Sequence, residues 1–271
     1  MRTLLMLLML GLAMPPATAA LAAEAGALEQ ALAEEAGLSP QAPFTGVTDA
    51  VWQAYHVSPA AGLALVAHCP QGFGEKPDAV LAAAAKEPFK ELLVAFLSYA
   101  DESDADTLAE TSRALALGQP VPERELSGSW YANTVYEVFR PSARYVSVLF
   151  NHHEYTGGAH GNSTYRAFSF DLHTGRTLAL ADLFVDEKAA LDALVPRIAD
   201  GVQAQKEPDA PPVDRDPSAV DLSMDRVALT PDGLRVVYAP YEMGSYSEGE
   251  FIVDIAKANL IAMGARPELW Q

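Results

Sequence analysis

Thr164-Tyr165-Arg166-Ala167-Phe168-Ser169-Phe170-Asp171, followed by Leu172-His173-Thr174-Gly175 and then Arg176-Thr177-Leu178-Ala179-Leu180, is the stretch on which the fold class turns. Tyr165, Ala167 and Ser169 alternate with Arg166, Phe168 and Phe170, a period of two that puts one set on each face of a strand. His173-Thr174-Gly175 supplies a turn, so its two flanks are expected to pair as a β-hairpin. Upstream, residues 130–139 and 144–153 are rich in Val, Tyr, Phe and Ser around a Pro141-Ser142 break, which reads as two neighbouring strands. Downstream the period changes. Leu191, Leu194, Val195, Ile198 and Val202 follow the helical repeat behind a capping Asp186, with Pro196 implying a kink or a restart.

A second hairpin is expected at residues 227–229 and 234–238, because Thr230-Pro231-Asp232-Gly233 is the residue order such a turn favours; residues 251–255 close the set. In the first half, residues 62–68 alternate as a strand that Cys69-Pro70-Gln71-Gly72 should end. Asp78 is a candidate helix cap. Phe89, Leu92, Leu93, Phe96 and Leu97 form one apolar helical stripe, with Pro88 acceptable in a first turn. The expected architecture is α+β: an antiparallel sheet packed by helices near 79–99 and 187–203 in a single domain, residues 51–271. Residues 207–217 hold four prolines among charges and read as a surface loop.

After Met1 come Arg2, an apolar run over residues 3–14, and the small-residue string Pro15-Pro16-Ala17-Thr18-Ala19-Ala20. That order is the one of a cleavable secretory signal, so residues 1–22 are expected to be removed and residues 23–50, rich in Ala, Glu, Gly and Pro, to form a flexible leader. Cys69 is the single cysteine; it lies far from the cleavage region, which argues against a lipid anchor, and it forbids an internal disulfide. The expected location is periplasmic or secreted, without membrane insertion after cleavage. Eighteen basic residues stand against 36 acidic ones, and losing Arg2 leaves 17, a mature balance of −19. Nucleic acid and anionic lipid are not expected as partners, since both need a basic surface; cations and basic proteins are attracted.

Candidates for chemistry are few. His152, His153, His160 and His173 crowd one region beside Glu154, but adjacent strand residues point to opposite faces, so stoichiometric zinc is not expected. His153, Glu154 and His160 are the set a metal-assisted hydrolase would use, and they are held as the alternative. Between 101 and 110 five residues are acidic, without the ligand spacing of a calcium loop. Tyr155-Thr156-Gly157-Gly158-Ala159-His160-Gly161 is the densest glycine cluster; Gly158 or Gly161 is expected to take an angle that a β-carbon resists. Phosphate cradles open a helix, whereas a strand follows here. No Gly-x-Ser-x-Gly elbow occurs around Ser129 or Ser245. The run 240–249, with Tyr241, Glu242 and Tyr246 among glycines and serines, has the composition of a recognition loop.

Those segments carry a resemblance. Tyr155-Thr156-Gly157-Gly158-Ala159-His160-Gly161, Phe170-Asp171-Leu172 with Thr174-Gly175, Asp182-Leu183-Phe184, Leu229-Thr230, Gly233-Leu234 and the Pro240-Tyr241-Glu242 loop together resemble the RsiV-like family of unknown-function domains, best over residues 145–260. Ser245 and Ser247 depart from the Pro and Ala that are frequent there. That family supplies the extracytoplasmic part of lysozyme-sensing anti-sigma factors and a module beside peptidoglycan deacetylases. The resemblance implies a non-catalytic envelope binding or sensor-type module, with no catalytic residues and no cofactor. Its ligand would be a lysozyme-like protein or cell-wall glycan, and Tyr155, Gly157, Gly158, His160, Tyr241, Glu242 and Tyr246 would bind it.

Overall fold

The computed structural model describes residues 46–58, 61–92, 95, 129–214, 220 and 222–271. The signal, most of the leader, the acidic run at 101–110, and Leu93, Phe96 and Leu97 lie outside these residues. The sheet order is simple. Strands β1 (Thr48–Ser58), β2 (Ala61–Gln71), β3 (Ser129–Phe139), β4 (Tyr145–Tyr155), β5 (Asn162–Asp171) and the short β6 (Arg176–Thr177) lie side by side in chain order. A second sheet is the meander β7 (Val227–Thr230), β8 (Gly233–Tyr238) and β9 (Phe251–Ala256). Among the described residues the helices are α1 (Glu75–Ala84), α2 (Leu180–Leu183), α3 (Glu187–Gln203) and α4 (Lys257–Ala262), with further helical residues at 88–92.

The class is α+β as expected, but the large sheet is mixed. β2 runs parallel to β3, from Gly62 opposite Ser129 to Ala67 opposite Thr134, while the other pairs are antiparallel. A parallel pair needs a long crossover, and the chain between 72 and 128 supplies it, with α1 and the helical residues at 88–92 on that path. β1 begins at Thr48, inside the stretch expected to be leader, and β2 continues through Pro70 to Gln71. Proline is tolerated there because β3 pairs with β2 only over Gly62 to Ala67, so nothing on that side needs the missing donor. Asp78 does not cap the helix from outside. Gly74 holds the cap position, and the Asp78 carboxylate takes the Gly72 and Phe73 N–H groups of the entering turn. Asp186 caps α3 as expected, accepting from the Ala189 N–H, and the helix passes Pro196 without a break.

Alternation along β4 and β5 sorts the core. Val146, Val148, Phe150 and Phe170 turn to one side and pack with Leu81, Phe89 and Leu92. Leu149 and Ala167 turn to the other and meet Ala228 and Val237 of the small sheet. The small sheet's far side, with Leu229, Val236, Tyr238 and Phe251, buries the α3 residues Leu194, Ile198 and Val202. The layers are therefore helix, large sheet, small sheet, helix. Cys69 is buried as a small hydrophobe, and that burial pushes its thiol up to about 12.

Ser147 pins the two sheets. The Leu229 N–H donates to its Oγ at 2.9 Å, and it shares a 2.6 Å hydrogen bond with Ser169 Oγ, all fully buried. Ser147→Ala should cost about 2 kcal/mol by leaving the Leu229 N–H without an acceptor. The denaturant midpoint would read it, and an unshifted midpoint would show that the pin is dispensable. Side chains also occupy both outer edges of the small sheet. The Gln205 amide donates to the Ile252 carbonyl and accepts the Ile252 N–H on β9, and the Trp270 indole N–H donates to the Thr230 carbonyl on β7.

Candidate functional site

Two loops far apart in sequence meet at one end of the molecule. The first joins β4 to β5 and holds the glycine cluster; the second, between β8 and β9, holds Tyr241 and Tyr246. The Tyr155 hydroxyl donates to the Gly158 carbonyl at 3.0 Å, and Tyr131 of β3 stacks on the Tyr155 ring at 5.5 Å, so a strand side chain fixes the loop. Gly157 and Gly158 take φ of 95° and 97°. Gly161 is constrained differently. A β-carbon there would lie 2.5 Å from the His153 ring and 2.7 Å from the Glu154 carbonyl oxygen, so the strand and the loop approach too closely for one. Gly161→Val should therefore destabilise the domain by about 2 kcal/mol, measured by thermal melting. Gly158→Ala, strained but facing open space, should cost about half that.

His160 is carried out of the first loop onto the second. Its ring stacks on Tyr246 at 3.6 Å and 15°, and Tyr241 lies 5.5 Å from Tyr246. Nδ1 of His160 faces the Gly161 carbonyl at 2.9 Å, which can only accept, so the proton of the neutral ring sits on Nδ1. Nε2 is then the acceptor for the Tyr241 hydroxyl, 3.3 Å away. Tyr241 is 60 % exposed and, with φ at 74°, is the one non-glycine residue at positive φ among the described residues. That angle costs a tyrosine free energy that the surroundings must supply. Tyr246 is half-buried beneath His160, whereas Tyr241 presents most of its ring.

Two carboxylates hold the second loop in shape. Glu242 accepts from the Ala239 N–H at 2.7 Å and from Arg226 at 2.6 Å, so its carboxylate braces the turn while the residue stays exposed. Glu248 accepts from the N–H and hydroxyl of Ser245 and from Lys206, whose ammonium is nearly buried over the Phe251 ring. Bonding to Lys206 first, then to Ser245, brings the Glu248 carboxyl down to about 2. Asp171, bonded chiefly by Arg144, is likewise held at about 2. Depressed carboxyls stabilise the folded chain fully above their ordinary range near 4, and that stabilisation is lost as pH falls from about 4 towards 2. Melting temperature should decline over that window, and Asp171→Asn should flatten part of the decline.

The alternative metal set does not assemble. His153 turns to Ser163, Tyr131 and Gly161, while Glu154 turns to the opposite face of β4, where its carboxylate lies 3.5 Å from His152. His160 is engaged with the tyrosines. Among the described residues no group of three or more His, Cys, Asp or Glu side chains could hold a metal ion. His152 is buried against Phe89 and Thr134, and its ring, 3.5 Å from the Glu154 carboxylate, is the main cause that lowers the Glu154 carboxyl. Sequence reading missed Lys206 and Arg226, which reach the loop from α3's end and from before β7. The one local signal that could have found this bracing is the Ser245-x-x-Glu248 spacing of a capping box.

Residues 181–258 match the model of a family of proteins of unknown function, DUF3298. The match spans α2 to β9 and includes the loop of Tyr241 and Tyr246, but not the glycine cluster. Two solved structures share the fold. A DUF3298 family member from Bacteroides fragilis is 18% identical with a TM-score of 0.54, over 82% of this chain and 95% of that one. A DUF3298 family protein from Pseudomonas aeruginosa is 14% identical with a TM-score of 0.50, over 83% and 95%. No curated protein matches the chain.

Proposed function

We propose that the domain is a non-catalytic binding module of the cell envelope, of RsiV-like type, whose ligand is a basic protein of the lysozyme-like muramidase class. The observation that carries the reading is the junction of the two loops, where His160, Tyr241 and Tyr246 stack and a strained tyrosine is displayed to solvent. Rigid aromatic rings lose little entropy on contact and are frequent centres of binding energy. The −19 balance of the mature chain favours a basic partner and raises its encounter rate. The export signal read at residues 1–22 supports a periplasmic or secreted setting. Cell-wall glycan is the second ligand class, because exposed tyrosine faces also stack on sugar rings.

Titrating lysozyme into the mature protein at low and at physiological salt tests the reading. Affinity that survives physiological salt is expected. Attraction between surface charges is screened beyond about 8 Å at that salt, so binding that vanishes there would reflect charge alone and move the search to wall glycans.

A further inference from the structure

We infer that the group captured at the loop junction is an arginine side chain of the partner, its guanidinium lying over the exposed Tyr241 ring. This rests on the binding-module reading and adds the chemistry of its central contact. The fold itself points to it. Seven aromatic rings carry a Lys or Arg of the same chain: Trp52, Phe73, Phe139, Tyr145, Phe168, Tyr238 and Phe251, at 4.9 to 6.0 Å. Among the described residues no cation of the chain lies over Tyr241, Tyr246 or His160, although these form the most closely stacked aromatic group.

The loop's carboxylates are poorer candidates for the contact. Glu242 is taken by Arg226, Glu248 by Lys206, and Glu250 accepts the Tyr165 hydroxyl. What the loop offers an incoming cation is therefore the negative face of a ring, on a protein whose overall charge draws cations in. Arginine suits that face better than lysine. A guanidinium is planar and weakly hydrated and can stack, whereas an ammonium on so exposed a ring keeps its water.

The test uses N-acetylated hexa-arginine and hexa-lysine amides, titrated calorimetrically at physiological salt into the mature wild type and into Tyr241→Phe, Tyr241→Leu and Tyr246→Leu. Melting curves confirm that each variant is folded. Hexa-arginine should bind at least about threefold tighter than hexa-lysine, Tyr241→Phe should stay within about twofold, and Tyr241→Leu should lose roughly 3- to 30-fold, the span of a cation–ring contact. If Tyr241→Leu is unstable, the same loss in Tyr246→Leu, which removes the ring's support, decides the matter. Equal affinities for the two peptides, or indifference to both leucine variants, would overturn the inference. Failure of lysozyme to bind while hexa-arginine binds through Tyr241 would leave the arginine site standing and remove the muramidase reading; lysozyme binding that ignores Tyr241→Leu would do the reverse.

Discussion

Gly233→Ala should lower the stability of the domain by about 3 kcal/mol, the largest effect expected of so small a change, and should lower its melting temperature by roughly 6–12 °C. The added carbon would lie 1.9 Å from the Ile255 carbonyl oxygen and 2.8 Å from the Lys257 nitrogen. Both are backbone atoms, so neither can swing aside as a side-chain end would. Gly233 is also at φ 154°, near the edge of the region that favours glycine, and pairs with Ala256 while the Lys257 N–H donates to the Asp232 carbonyl. The turn and the end of β9 are thus locked together, and relief would require parting two strands. Calorimetry of the variant checks this. A melting temperature within about 2 °C of wild type would show that the strands do not approach as closely as described.

Tyr241→Ala should weaken lysozyme binding at physiological salt by about thirtyfold, which corresponds to roughly 2 kcal/mol and is typical of a central aromatic anchor. Tyr246→Ala should do nearly as much by removing the surface on which His160 rests. Stability separates these effects from unfolding. Because Tyr241 sits at φ 74°, Tyr241→Gly relieves the backbone while deleting the ring, so it should raise the melting temperature slightly and abolish most of the affinity. Opposite signs in the two measurements identify a residue retained for contact. A variant that loses both, or neither, would return Tyr241 to the role of an ordinary loop residue.

The elements legible from sequence were those whose information is local. The alternation of residues 164–171, the turn at 230–233 and the stripe of α3 are each set within a dozen residues, and each is present in the structure. Pro196 did not break α3, because Val195, Ile198 and Ala199 around it are buried and hold the backbone. The parallel pairing of β2 with β3 could not be read, since their paired residues are separated by 67 positions and nothing in either strand names its neighbour. The site divides in the same way. Each loop looked suited to recognition by itself, but the bond from Tyr241 to His160 spans 81 residues, and only the folded sheets bring them together. The set of His153, Glu154 and His160 failed for the reason strand geometry gives: neighbours on β4 diverge. Lys206 was invisible as a loop support because its partner, Glu248, is 42 residues away.

The amide of Gln205 does for Ile252 what another strand would do, giving and taking one hydrogen bond each, and Trp270 closes Thr230 on the opposite edge. An open edge is a template on which a second molecule can nucleate a growing stack, and Ile252 itself is partly exposed there. Gln205→Leu would leave that template bare. In a crowded compartment its cost would then appear as turbidity at high protein concentration rather than as a lower melting point, so the two edge bonds serve colloidal solubility more than the fold.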